Sequence, residues 1–282
     1  MRPPEFSAAT LVLLGHGTTL DPQSSAPVFQ HSAELRRRKV FGDVRESFWK
    51  QEPQVKEVLA SVKSPRVFIV PLFISDGYFS EEAIPRELGF REEGQGEYSR
   101  MQQKGGQKLF YSRPVGTHDR MTEVLLARAR EVAAKFPFPR SPDPKDTTLF
   151  IAGHGTEKNE NSRRAIEHQV ELIRALNLYH AVHSVFLEEA PRIGECYVIA
   201  QTKNIIVVPF FISDGLHVWQ DIPVLLGETE RMVRQRLEKG QPTWRNPTER
   251  KGKRVWYSAS VGTEPLVADI ILARVREVLS CG

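Results

Sequence analysis

Three short stretches in the first half of the chain are apolar without polar alternation: TLVLL (10–14), RVFIVPLFI (66–74) and KLFYS (108–112). Each returns in the second half, as TLFIA (148–152), NIIVVPFFI (204–212) and RVWYS (254–258). Short β-branched and aromatic runs of this kind predict strands covered on both faces, as in a parallel sheet. Weaker strands are predicted around DVRESFW (43–49) and AVHSVFLE (181–188). Between the runs the period changes. In SRRAIEHQVELIRAL (162–176), Ile166, Val170, Ile173 and Leu176 share one helical face. MTEVLLARAREVAAKF (121–136) and LVADIILARVREVLS (266–280) predict closing amphipathic helices. Each half therefore reads as about four βα units, a doubly wound α/β domain.

The halves also share words. LVLLGHGTTL (11–20) matches LFIAGHGTEK (149–158), and ESFWKQEP (46–53) sits opposite SVFLEEAP (184–191). IVPLFISDGYFSEEAIP (69–85) is rewritten as VVPFFISDGLHVWQDIP (207–223), all at an offset of 138 residues. From Tyr111 and Tyr257 onward the offset is 146, so the second copy gains eight residues between Pro223 and Tyr257. One offset held across so many landmarks is a duplication. Between the copies, FPFPRSPDPKD (136–146) holds four prolines in eleven residues, which neither propagates a helix nor pairs as a central strand. The expected domains are 1–136 and 148–282, joined by a Pro-rich linker at 137–147.

Composition narrows the function classes. Thirty-nine Lys+Arg against thirty-five Asp+Glu leave a net charge of +4. The basic clusters RRRK (36–39) and RKGKR (250–254) lack interleaved aromatics, so a solvated surface is expected rather than a nucleic-acid partner. The two cysteines, Cys196 and Cys281, form no CxxC, which leaves no thiolate metal site or disulfide framework to argue for. With no apolar stretch near the ~20 residues of a membrane span and no signal-peptide core, a cytoplasmic protein is expected. Neither a P-loop nor GxGxxG follows a strand, and no GxSxG marks a nucleophile.

Chemistry in open α/β sheets gathers beyond the carboxyl ends of the strands. In the second copy that rim receives His154 after the first strand, Glu188 after the second and His217 after the third. Two imidazoles and a carboxylate suit a first-row divalent metal, or proton transfer near neutral pH. Plainer roles stay open: a hydrogen-bonded strand-end histidine, a helix-capping Glu188 with Glu189 as competitor, and a simple SDG turn. His31, His168, His180 and His183 fall in polar contexts and are expected at the surface, while His118 is expected beside a helix cap.

These motifs, in this order, resemble the sirohydrochlorin cobaltochelatases of the CbiX-like, class II chelatase family: LxxxGHGT, FLExAP and VVPFFISDGxHVxxDIP. The resemblance covers most of both halves and is weakest at 91–107, at 227–252 and in the linker. It implies two chelatase-like α/β domains, each a parallel four-stranded sheet flanked by helices, with the active site in the cleft between them. It implies ATP-independent insertion of a divalent metal, Co²⁺ first and Fe²⁺ or Ni²⁺ as alternatives, into sirohydrochlorin or a related tetrapyrrole of cobalamin or sirohaem biosynthesis. No permanent cofactor is expected. The implied ligands and catalytic groups are His154, Glu188 and His217, with His154 accepting a pyrrole proton and Glu188 passing protons outward.

The matching positions of the first copy are His16, Lys50 and Phe79, so only one ligand survives there. His16, Lys50 and Phe79, with Ser213 and Gly215, are expected substrate contacts: Lys50 for a carboxylate, Phe79 against a macrocycle face. Equally, these residues fill a retired site. Asp214 departs from the family pattern, and Asp76 repeats it, which favours a turn role. Two alternatives stand beside the cobaltochelatase: a ferrochelatase, and a non-catalytic metal or tetrapyrrole carrier descended from a chelatase. One chain carrying both halves is expected to act as a monomer, with homo-oligomers as the alternative.

Overall fold

The computed structural model, which describes residues 6–18, 22–94, 96–155 and 160–280, turns both sets of apolar runs into mostly parallel sheets. The first repeat contains β1 (Phe6–Gly15), α1 (Ala26–Arg38), β2 (Phe41–Phe48), α2 (Val55–Ser61), β3 (Arg66–Pro71), α3 (Ile84–Leu88), β4 (Met101–Lys104), β5 (Gln107–Tyr111) and α4 (Met121–Lys135). The second contains β6 (Thr147–Gly153), α5 (Glu160–Ala175), β7 (Ala181–Phe186), α6 (Cys196–Ile199), β8 (Asn204–Pro209), α7 (Ile222–Leu225), α8 (Glu230–Glu238), β9 (Thr248–Arg250), β10 (Lys253–Tyr257) and α9 (Val267–Ser280).

The sheet orders are β2-β1-β3-β5-β4 and β7-β6-β8-β10-β9. Three of the four parallel strands of each sheet are the ones the apolar runs predict, and the fourth, β2 or β7, is the weaker predicted strand. β6 is buried along its whole length, and five of six residues are buried in β3 and in β8, as expected of strands covered on both faces. The expectation of four strands is corrected to five. β4 and β9 join antiparallel to β5 and β10 through tight hairpins. MQQK and TER are short, polar edge strands, which carry no apolar signal. The extra length of the second copy accommodates α8, whose first turn is capped by the Thr229 hydroxyl accepting from the Met232 N–H at 3.3 Å.

Compact units and repeats are different partitions of the chain. One unit runs to His118 and resumes at Pro265, and the other spans Asp119–Glu264. The expected boundary at 137–147 follows the repeats, whereas the closing helices follow their packing: α4 covers β8 and β10, and α9 covers β3 and β5. A buried arginine pins each of them. From α4, Arg128 donates to the Ser260 carbonyl at 2.8 Å and the Thr263 hydroxyl at 2.7 Å. From α9, Arg274 donates to the Pro114 carbonyl at 3.0 Å and the Thr117 hydroxyl at 2.8 Å. Charged donors to buried acceptors contribute about 1.5–3 kcal/mol each, enough to fix a helix in its place. An amphipathic pattern reports that a helix has an apolar face, not which sheet that face covers.

Two histidines expected at the surface are not there. His31 is 1% exposed on the buried face of α1, between Val28 and Leu35. His183 lies in β7 half-covered by Phe150, with ring centroids 5.5 Å apart. No helix among the described residues is long and apolar enough to cross a membrane.

Candidate active site

β6 ends at Gly153, and the next residue, His154, starts the loop at the carboxyl edge of the sheet. Gly155 follows at φ +62°, in the left-handed region that favours glycine. A Cβ there would stand 2.6–2.8 Å from Glu189 and Phe186 atoms. This tight turn folds the His154 ring back, so that its Nδ1 lies 3.0 Å from the Gly155 carbonyl. A carbonyl only accepts, so Nδ1 carries the proton and Nε2 keeps its lone pair.

The chain after β7 closes on the same loop. The N–H groups of Leu187 and Glu188 both donate to the His154 carbonyl, at 3.0 and 3.2 Å. This brings the Glu188 carboxylate to 3.8 Å from His154 Nδ1, with 58% of its side chain exposed. The two adjacent glutamates point in different directions. Glu189 turns away beneath Gly155 and accepts from Arg163 at 3.0 Å, which buttresses the loop, while Glu188 faces the histidine.

β8 delivers the third residue through SDG. Asp214 accepts the Ser260 N–H at 2.8 Å, so its carboxylate serves the turn. Gly215 offers its carbonyl to the N–H groups of Val218 and Trp219 at 2.9 and 3.0 Å, opening a π-helical turn over His217–Asp221. Ser213 is partly exposed on this connection. Single π turns concentrate at functional sites because the extra residue re-aims a side chain. From beneath, the Tyr257 hydroxyl donates to the Val218 carbonyl at 2.7 Å. Full burial pushes this phenol far above its usual range, so it stays a neutral donor.

His217 therefore stands edge-on to His154, with ring centroids 5.0 Å apart and planes at 89°. Its Nδ1 lies 2.6 Å from Asp221 Oδ2, four residues along the same turn. Sequence reasoning missed Asp221, although H-V-W-Q-D places it one helical turn from His217. His154, Glu188 and His217 are thus neighbours, as the sequence predicts. They do not form a closed cage: among the described residues no three His, Cys, Asp or Glu side chains stand ready to enclose an ion. Two Nε2 lone pairs and an exposed carboxylate are donors of the types that first-row cations take. Cys196 is no competitor, since burial pushes its thiol up to about 12. Cys281 lies outside the described residues.

The first unit repeats the scaffold with other side chains. His16 Nδ1 approaches the Gly17 carbonyl at 2.9 Å, and the Lys50 N–H donates to the His16 carbonyl at 2.8 Å. Phe79 opens a π turn over Phe79–Ala83 and meets His16 at 5.0 Å and 78°, nearly the arrangement of His217 on His154. The Lys50 ammonium lies over the Trp49 ring at 5.6 Å, and Ala83 stands where the second unit has Asp221.

Fold and site together define a duplicated α/β protein whose second unit carries an imidazole–carboxylate cluster at the rim of its sheet. The chain belongs to the CbiX family, whose sequence model matches it twice, over 10–132 and 148–278. It is 39% identical over 277 residues to a probable sirohydrochlorin cobaltochelatase of Halobacterium salinarum, covering 95% of this chain and 90% of that protein. A sirohydrochlorin cobaltochelatase of Methanococcus maripaludis is 27% identical over 139 residues, 42% of this chain and 96% of that one, as expected when one repeat aligns with a short protein. Among solved structures, DR2241 of Deinococcus radiodurans, described as multi-domain with structural similarity to chelatases, superposes with a TM-score of 0.75 at 27% identity. The match covers 94% of this chain, which spans only 54% of DR2241. SirB of Bacillus subtilis shares the fold, with a TM-score of 0.68 at 17% identity over 96% of this chain and 95% of SirB.

Proposed function

We propose that this chain is a metal chelatase that inserts a divalent ion, Co²⁺ in the first instance, into sirohydrochlorin, with its chemistry in the second unit. The observation that carries the reading is the His154–His217 ring contact with both Nδ1 atoms engaged, beside Glu188. Pinned Nδ1–H groups leave both Nε2 atoms as lone-pair donors, and imidazole nitrogen with carboxylate oxygen suits a borderline first-row cation. The family membership and the names of the curated relatives point the same way.

In this reading the metal substrate loads onto His154 and His217 with Glu188 as third donor. The Glu188 carboxylate, 58% exposed, swings toward the ion to complete the donor set. The tetrapyrrole then offers its ring nitrogens, and each ring N–H that gives way to metal loses a proton. As the ion passes to the ring, an imidazole that releases it regains a free Nε2, which accepts the proton, and Glu188, at the solvent edge, passes it outward. His16, Lys50, Phe79, Ser213 and Gly215 are proposed substrate contacts, Lys50 toward a carboxylate side chain.

The test is spectroscopic: protein with sirohydrochlorin and Co²⁺, or with Fe²⁺ under anaerobic conditions, followed by the visible spectrum of the macrocycle. Multiple turnovers lost in His154→Ala and His217→Ala support the chelatase. Turnover with Fe²⁺ but not Co²⁺ replaces the metal assignment. A stoichiometric spectral change without turnover indicates a carrier, and turnover unaffected by either substitution refutes the site.

A further inference from the structure

Resting on the reading of His217 as a ligand, we propose that Asp221 is the positioning residue of this site. Its carboxylate holds the His217 proton on Nδ1 and so presents Nε2 to the incoming ion. The first support is geometric: Nδ1 and Oδ2 are 2.6 Å apart, and a carboxylate accepts but does not donate. An imidazole that must ligate through one nitrogen is commonly fixed by an acceptor on the other, which sets tautomer and ring direction together.

The second support comes from elimination of the structural alternatives. Asp221 sits where a helix cap would be expected for α7, yet its side chain makes no capping hydrogen bond. It is also 44% exposed, so it does not fill a core.

The third support is the internal control that the duplication supplies. The first unit builds the same π turn and the same edge-on ring contact with Phe79 in place of His217, and there the fourth residue on is Ala83. The turn and the ring packing therefore form without a carboxylate. What the second unit's π turn has and the first unit's lacks is an imidazole nitrogen, and the carboxylate accompanies it. Asp221→Ala recreates the first unit's residue at an exposed helical position, where alanine is well tolerated.

Two readouts test this on the whole chain. In the metal-free protein in mildly alkaline buffer, two-bond ¹H–¹⁵N correlation spectra report which His217 nitrogen carries the proton. The wild type is expected to show the Nδ1–H form. Asp221→Ala is expected to shift His217 toward the Nε2–H form while leaving His154 unchanged, and Asp221→Asn, which keeps an acceptor oxygen, to retain much of the original state. Titration with Co²⁺ alone, read by calorimetry and by the visible bands of the ion, is expected to give a Kd raised roughly 10- to 100-fold in Asp221→Ala. An unchanged tautomer and an unchanged Kd in Asp221→Ala, with binding lost in His217→Ala, overturn the positioning role and leave the ligand assignment standing. Unchanged binding in both variants overturns the two together.

Discussion

The two units of this protein share one scaffold and carry different parts on it. Both place a histidine after the first strand with Nδ1 turned onto the next carbonyl, both close the second strand onto that histidine's carbonyl, and both follow the third strand with a π turn. Among the side chains that differ at these loops are Lys50, Phe79 and Ala83 against Glu188, His217 and Asp221. The lesson is that the backbone does not need the chemistry. The same loop forms with either set of side chains because the scaffold is held elsewhere, by buried tyrosines under the π turns and by close backbone crossings. Tyr111 donates to the Ser80 carbonyl at 2.8 Å much as Tyr257 donates to Val218 at 2.7 Å.

The sharpest way to break the comparison is to remove the parts from the second unit. His154→Ala or His217→Ala is expected to lower turnover more than roughly 100-fold, since even supporting residues of metal sites cost 10- to 100-fold. Phe79→Ala, at the position equivalent to His217, is expected to retain turnover. Equal losses in steady-state assays of the two would contradict a single site. The converse is to give the parts to the first unit. The triple substitution Lys50→Glu, Phe79→His, Ala83→Asp is expected to create a second Co²⁺ site, read as a doubled stoichiometry in equilibrium dialysis. A stoichiometry that stays at one would show that the first unit's backbone has drifted more than its ring geometry suggests.

The shared scaffold is tested next. A Cβ at Gly116 would run into the Ile74 carbonyl, and one at Gly262 into the Ile212 carbonyl, where backbone rather than a flexible side chain must yield. Gly116→Ala and Gly262→Ala are each expected to destabilise by about 1–3 kcal/mol or more in denaturant unfolding, the range of overpacked core positions. One tolerated and one not would mean that the units have diverged in their frames as well.

The smallest effect is a pH dependence. Burial, with the nearby Arg174, lowers the pKa of His183, and Arg45 occupies the same place in the first repeat. The folded state thus prefers neutral His183. The associated stability is complete above the unfolded value of about 6.5 and is lost as pH falls through the lower folded value. Thermal melts of the wild type are expected to weaken slightly on acidification across that window, and His183→Arg to flatten that part of the slope.

What the sequence disclosed follows from which signals are local. The duplication, the parallel strands and the meeting of His154, Glu188 and His217 were legible, because apolar runs mark buried strands and strand ends in an α/β sheet converge on one rim. The hairpin strands were not, since MQQK and TER bury too little to be apolar. The exchange of α4 and α9 was invisible for a related reason, as Val124, Leu125 and Val132 would serve any sheet. His31 was misplaced through its polarity, although Val28, His31, Ser32 and Leu35 follow a helical face. Asp221 went unnoticed because its meaning lies in a 2.6 Å contact with His217, and a pair of residue types four apart is common on any helix.

The central claim is that one metal site exists and that it lies in the second unit. Calorimetric titration of the tetrapyrrole-free protein with Co²⁺ tests it most directly, comparing the wild type with His217→Ala and Phe79→Ala. The account predicts one ion per chain, lost in His217→Ala and kept in Phe79→Ala. Two ions per chain, or one ion that survives His217→Ala, would contradict it.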